Sequence, residues 1–355
     1  MPADVELLKS LCLAPGPTGF EAPAQEVVRR RLAPLGEVRG DPLGNVWLDI
    51  GPADGPQAVV TAHADQIGLI VTYVDEHGYI SVEKIGGVAS LLVPGRHFVI
   101  RGAGGPVHAV GGKKPTHIIP ADERDKAPVL HEQFLDIGAS GREAALERVA
   151  VGDPVTFAPE FIELSPGVFG TQALDDRAGV YCLVRALELY AAAPGMTRLT
   201  GLATVQEETT FMGAKAQAKR LTPAVMIVVD GDFCSDTPAA DAKKLAGEVK
   251  LGAGPVLGRG AGSNQRLLAM AREVAAAEGI PVQLKAAPEA MSTDADELMA
   301  AGVTATLSLS LPVRYMHSPF EVANGDDLEA AAALVAAIAR RVGDAGVSQS
   351  FLPRI

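Results

Sequence analysis

The sequence predicts an α/β protein whose mixed central sheet is covered by helices and interrupted by a small all-β, barrel-like domain. Three observations predict it. Apolar strand-like runs alternate with helical stretches toward both ends of the chain, the pattern of a sheet covered on both faces. Between about residues 67 and 158 that alternation stops, and short β-branched runs separated by Gly and Pro take over. Several strand-like runs in the outer parts end in histidine or carboxylate residues, and in an open α/β sheet ligands bind beyond the carboxyl ends of the strands. Residues 1–66 and 159–355 are therefore expected to form one discontinuous domain, with 67–158 inserted into it.

Taken in order, Val5, Leu8 and Cys12 stand at helical spacing within 4–13, and 23–35 (PAQEVVRRRLAPL) opens on a proline and stops before Gly36. Residues 45–50 (NVWLDI) and 58–63 (AVVTAH) read as strands, the second a continuous apolar run suited to a buried sheet. In the inserted stretch IGLIVTYV, YISVEKI, HFVIRG, PVHAVGG and DPVTF read as strands, and only 136–149 reads as helix. Beyond it the pattern predicts a helix over 175–192, a strand over 199–206, a helix over 210–220 and a strand over 224–229. A helix over 263–278 and strands over 281–285 and 303–310 follow. The last element, 326–342, is an amphipathic helix with acidic residues first and arginines last.

Composition removes several classes of function. The 355 residues carry 31 Lys+Arg against 43 Asp+Glu, a net charge of −12. That argues against a nucleic-acid partner, because such binding rests on basic side chains displacing counterions from phosphates. With 48% hydrophobic and 21% charged residues the chain is globular, and no apolar run approaches the length of a membrane span. The first ten residues lack the basic-then-apolar layout of a signal peptide. Cys12, Cys182 and Cys234 have neither metal-site spacing nor the even number of a disulfide framework. These features predict a cytoplasmic protein.

The chemistry-bearing residues cluster at the predicted strand ends. The strand at 58–62 runs into His63-Ala64-Asp65, that at 199–205 into Gln206-Glu207-Glu208, and that at 224–229 into Asp230. The apolar segment 303–313 leads to His317, and Asp175-Asp176 lie just before a helix. Six carboxylates at one edge would repel one another and would not all stay ionised unless cations lay between them. Imidazole with carboxylate oxygen suits Zn²⁺, or Co²⁺ and Mn²⁺. Two metals need two histidines, one bridging carboxylate and one terminal carboxylate each. The set meets that need and leaves one Glu to act as a base and one Asp to hold a histidine.

On HADQIGLIV (63–71), GGKKPTHI (111–118), DIGASGREAA (136–145), VGDPVTF (151–157), ALDDRAG (173–179), VQEETTFMGA (205–214), STDADEL (292–298) and PVRYMHSP (312–319), the chain resembles the tetrahedral, or deblocking, metallo-aminopeptidases. That family includes glutamyl aminopeptidases, and the resemblance spans essentially the whole chain. It implies a fold of the di-zinc peptidase type, with one metal held by His63, Asp175 and Asp230 and a second by Asp175, Glu208 and His317, Asp175 bridging. It implies Glu207 as catalytic base, Asp65 as the residue fixing the His63 imidazole, and a cis peptide between Asp175 and Asp176. Zn²⁺ is the expected ion. The implied substrates are peptides with a free N-terminus, and the implied assembly is a large homo-oligomer, commonly a dodecamer, in which the inserted domain makes subunit contacts and controls access.

Three segments depart from the family pattern: Ala64-Asp65-Gln66, Gly231 to Cys234, and Met291-Ser292. Asp232 competes with Asp230 as a ligand, and Asp230 is preferred because it directly ends the apolar run. Arg177 and Arg314 are expected to orient carboxylates or backbone, and Cys182 to be a core residue. His77, His97, His108, His117 and His131 all fall in the inserted stretch at irregular spacing and read as surface or structural residues. The rival readings are another di-metal amide hydrolase of carboxypeptidase or aminoacylase type, a glycoside hydrolase, which normally needs two carboxylates and no metal, and a non-catalytic scaffold with a vestigial site.

Overall fold

The computed structural model describes residues 2–120, 122, 126, 128–238, 240–289, 292–302, 305–344 and 351. Helix α1 (Val5–Leu13) is capped by Asp4, whose side chain accepts from the Leu7 N–H, and it buries Leu7, Leu8, Leu11 and Cys12. Helix α2 (Ala22–Leu32) carries a proline in its first turn and continues into one 3-10 turn, Ala33–Leu35. Strands β1 (Arg39–Gly40), β2 (Val46–Ile50) and β3 (Gln57–His63) follow.

The next six strands, β4 (Gly68–Val74), β5 (Ile80–Ile85), β6 (His97–Gly102), β7 (Gly105–Gly111), β8 (Leu135–Asp136) and β9 (Pro154–Phe157), close into a barrel in the order β4-β5-β8-β7-β6-β9, with α3 (Arg142–Leu146) between β8 and β9. Closure leaves no unpaired strand edge. The barrel is filled by its own side chains, among them Leu69, Val71, Ile80, Phe98, Ile100, Leu135 and Val155, and the Phe98 and Phe157 rings lie 5.0 Å apart.

The chain then forms β10 (Phe161–Ser165), β11 (Val168–Thr171), α4 (Leu174–Ala192), β12 (Arg198–Thr204), α5 (Glu207–Thr210), α6 (Met212–Ala218) and β13 (Val225–Phe233). It finishes with β14 (Val256–Gly260), α7 (Gln265–Glu278), β15 (Gln283–Ala287), α8 (Asp294–Ala300), β16 (Thr306–Val313), β17 (Glu321–Asn324) and α9 (Gly325–Val342). Eight strands make the central sheet in the order β1-β2-β12-β3-β13-β16-β14-β15, and β10, β11 and β17 make a small second one. The middle strands β12, β3, β13 and β16 are parallel, while β2 runs against β12 and β14 runs against β16 with β15 parallel to β14, so the sheet is mixed.

The continuous apolar runs of β3 and β13 have a simple cause: both faces are covered. Val60, Ile227 and Val229 pack with Leu183, Leu187 and Val335, side chains of α4 and α9. Their immediate neighbours Val59, Met226 and Val228 point the other way, onto Ala214 and Ala218 of α6 and Ala295 and Leu298 of α8.

Several elements differ from expectation. The helix read over 136–149 shrinks to α3, because Leu135–Asp136 pair with β5 and β7 and Gly138 adopts φ +68°. The helix read over 210–220 shrinks to α6, because Phe211 at φ +55° separates it from the unanticipated short helix α5. The strand read over 281–285 starts at Gln283, beyond Pro281, and that read over 303–310 runs from Thr306 to Val313; residues 303–304 lie outside the described residues, as does Met291. The short strands β1, β10, β11, β14 and β17 and the helix α8 were not anticipated. Cys182 is a core residue as expected, and its thiol donates to the Leu328 carbonyl. Among the inserted histidines, His97 and His108 meet across β6 and β7 with ring nitrogens 2.9 Å apart.

Candidate metal centre

The parallel strands point the same way, so their carboxyl ends share one edge of the sheet. His63 ends β3 and pairs in register with Thr204, the last residue of β12. Three residues beyond Thr204, the chain turns through Gln206 (φ +62°) into the short helix that begins Glu207-Glu208. Asp230 lies on β13 opposite Ser310 of β16, and the chain leaving β16 carries His317. Asp175 and Asp176 sit at the start of α4 with non-helical backbone, joined by a cis peptide as the resemblance implies.

These elements bring all seven anticipated side chains together. His63 Nε2 lies 3.3 Å from Asp175 Oδ1, 3.8 Å from Glu207 Oε2 and 3.9 Å from Asp230 Oδ1. His317 Nε2 lies 3.2 Å from Asp175 Oδ2 and 3.4 Å from Glu208 Oε2. One carboxylate, Asp175, thus presents one oxygen to each imidazole. Donor atoms within 4.8 Å of one another form three triads: His63, Glu207 and Asp230; His63, Asp175 and Glu208; Asp175, Asp176 and Asp230. None is identical to a ligand set implied by the resemblance. Glu207 stands among the possible donors, and His317 joins through its pairwise contacts.

Asp65 organises the same edge. Its Oδ1 lies 3.3 Å from His63 Nδ1, close but not aligned as a hydrogen bond. The same oxygen accepts from the Glu207 N–H at 2.9 Å, and Oδ2 accepts from the Glu208 N–H at 3.1 Å and the Thr18 hydroxyl at 2.6 Å. One buried carboxylate therefore faces the ring of His63 and fixes the backbone of both glutamates.

Sequence reasoning missed three supporting residues. Glu321 accepts from the Asp175 N–H at 3.0 Å and from the His317 N–H at 2.8 Å, tying the two loops together. Asp294, inside the quoted STDADEL motif but without an assigned role, accepts from the Thr204 hydroxyl at 2.6 Å. Gly87 is a spatial requirement: a Cβ there would lie 2.3 Å from His317 Nδ1. The available signal for Glu321 was its position four residues after His317. Nothing local marks Gly87, because its neighbour comes from 230 residues away.

The electrostatics fit a cation. Burial pushes Glu207 up to about 10, against the lowering effect of His63. Burial likewise raises Asp230 well above the carboxylate range and raises Glu208, and it brings Asp294 to about 6. Asp175 is the exception: burial opposes its charge, yet the close imidazoles of His317 and His63 hold it below its usual value. Asp175 and Glu208 in turn raise His317 to about 11. Protons thus satisfy this cluster only by pushing groups far from their ordinary values, and a divalent cation relieves the same repulsion. The buried atoms His63 Nδ1, Asp175 Oδ1 and Glu208 Oε1 have no hydrogen-bond partner, whereas buried polar atoms normally have one. The residues present fit divalent metal.

Geometry separates the two competing aspartates. Asp232 Oδ1 is held by Lys285 Nζ at 2.6 Å, which neutralises it, while Asp230 faces His63. Arg314 pairs with Asp236, and the buried Arg177 donates to the Leu11 carbonyl, in line with their expected orienting roles. Cys234 packs with Val249 and Val256, and burial pushes its thiol up to about 12.

Comparison with known proteins agrees with this site. The sequence profile of the family described as M42 glutamyl aminopeptidase matches residues 44–334. The chain is 33% identical over 332 residues to the lysyl aminopeptidase of Pyrococcus furiosus, covering 92% of this chain and 94% of that protein. Among solved structures, the TET aminopeptidase of a marine sediment Thaumarchaeota archaeon superposes with a TM-score of 0.91 at 32% identity, covering 98% of this chain and 99% of the other. The TET1 peptidase of Pyrococcus horikoshii, which assembles into a tetrahedron or a large octahedral shell, superposes with a TM-score of 0.85 at 29% identity, covering 94% and 98%. The chain belongs to the M42 glutamyl aminopeptidase family, whose members are metal-dependent aminopeptidases.

Proposed function

We propose that the chain releases N-terminal residues from peptides with two divalent ions, zinc in the first place and cobalt or manganese in the same geometry, one held by His63, Asp175 and Asp230 and the other by Asp175, Glu208 and His317. The observation that carries this reading is the division of the two Asp175 oxygens between His63 and His317. Held by these residues, such ions would supply polarisation of the scissile carbonyl and a lowered pKa for the attacking water. Glu207 takes the proton from that water and gives it to the departing amine, a general acid–base role typically worth about 10²–10⁴-fold. Its carboxyl is raised by burial, and nearby positive charge brings it back toward the working range of a base. Asp65 faces the His63 ring and pins the Glu207 and Glu208 backbone through hydrogen bonds from their N–H groups.

The test is chromogenic aminoacyl substrates and short peptides assayed after chelation and after separate addition of Zn²⁺, Co²⁺ and Mn²⁺. Activity lost with chelator, regained with metal and absent on N-acetylated substrates is the expected result. Turnover of N-blocked substrates would instead favour an aminoacylase-type or endopeptidase reaction.

We further propose residues 67–158 as an inserted domain that makes subunit contacts in a large homo-oligomer of about twelve chains and controls access. Support comes from the separate core of the barrel and from the assembly described for the Pyrococcus horikoshii relative. Light scattering is expected to give a mass many times that of one chain; a monomer or dimer overturns it. No helix among the described residues is long and apolar enough to cross a membrane. The three cysteines are free buried thiols, which supports a reducing, cytoplasmic setting.

A further inference from the structure

A cavity of about 280 Å³ lies at the start of β12, where Arg39, Trp47, Asp49, Arg198, Thr200 and Arg220 contribute to its walls. Arg198 and Thr204 mark the two ends of that strand, which puts the cavity roughly 20 Å from the metal centre at about 3.3 Å per residue. Three guanidiniums face one carboxylate here, in a chain whose net charge is −12. Local positive charge is therefore a property of this cavity and not of the whole surface.

The carboxylate is already committed. Asp49 accepts from the Thr200 hydroxyl and meets Arg39 at 3.4 Å, and Arg39 also meets Glu37 at 3.2 Å. Arg198 and Arg220 are left without an acidic partner among the described residues. Arg198 reaches only the Ala53 carbonyl, at 3.3 Å through Nη1, and its Nε is buried with no acceptor at all. Arg220 lies over the indole of Trp47, 5.8 Å from the ring centre.

A buried N–H without an acceptor is costly, and a guanidinium fork matches the paired oxygens of a tetrahedral oxyanion. A cavity of this size also holds such an ion with several waters, each of which takes about 30 Å³. We propose that this cavity binds a compact, multiply charged oxyanion of the phosphate class, held by Arg198 and Arg220 with Arg39 at its rim.

Trp47 is the single tryptophan of the chain, so its emission reports occupancy directly and independently of catalysis. The experiment titrates inorganic phosphate into the metal-loaded protein and follows Trp47 fluorescence, with sodium chloride at matched ionic strength as reference. A saturable change with phosphate and none with chloride is expected. Arg198→Met is expected to weaken the apparent affinity by about tenfold or more, as loss of charge-assisted hydrogen bonds implies. Arg198→Lys, which keeps the charge but not the fork and so guards against a folding defect, should fall between. A parallel titration with phosphoserine separates a free ion from a phosphoryl group on a larger molecule: the tighter ligand names the source. Absence of a saturable change, an equal response to chloride, or unchanged affinity in both Arg198 variants overturns the proposal.

Discussion

Replacing Glu207 by Gln leaves the metal content at the wild-type level and lowers kcat by about 10²–10⁴-fold, the range expected on loss of a general acid–base group. The substitution keeps the side-chain shape and the backbone N–H that Asp65 Oδ1 holds at 2.9 Å, so the start of α5 stays in position. It removes the one function the proposed mechanism requires of this residue, which is to accept a proton. The geometry makes the metal measurement the sharper half of the experiment. Glu207 Oε2 lies 3.8 Å from His63 Nε2, and Glu207 forms a donor triad with His63 and Asp230. If Glu207 were itself a ligand, the amide would lose metal as well as turnover. Metal analysis of the purified variant beside its steady-state kinetics therefore tells base from ligand, and retained activity would end both assignments.

The gathering of the candidate site's side chains was largely legible in the sequence, and the reason is topological. Parallel strands deliver their last residues to one edge, so His63, Glu207 and Asp230 could be placed together from three apolar runs and the polar residues that end them. The apolar runs themselves were readable because β3 and β13 are covered on both faces. What escaped was determined by contacts distant in sequence. Glu321 acts through the backbone N–H groups of Asp175 and His317, and such a partner leaves no periodic signal. Gly87 is small because His317 approaches it from the far end of the chain. The choice between Asp230 and Asp232 rested on the end of an apolar run, yet the physical distinction is that Lys285 neutralises Asp232. Local chemistry also shortened two helices: with Gly138 at positive φ one starts only at Arg142, and with the left-handed Phe211 another starts only at Met212.

Asp175→Asn is expected to reduce metal binding at both positions at once and to lower kcat/KM by about 10³-fold or more, equivalent to about 4 kcal/mol of lost transition-state stabilisation. The argument rests on the sharing of one carboxylate. Oδ1 faces His63 at 3.3 Å and Oδ2 faces His317 at 3.2 Å, and an amide offers one oxygen and no charge where the native group offers two oxygens and a full negative charge. Glu321 still receives the backbone N–H of residue 175, so the loop is expected to keep its place and the effect to be chemical. His317→Ala is the informative contrast, because it touches only the Asp175–Glu208 side and should lower the metal stoichiometry by one. Ligands that bind only the folded chain raise its stability by mass action. Added Zn²⁺ should therefore raise the Tm of the chelator-treated wild-type protein, raise that of His317→Ala less, and leave Asp175→Asn nearly unchanged. Two ions per chain in Asp175→Asn, or metal loss there no greater than in His317→Ala, would mean that Asp175 is not the shared ligand.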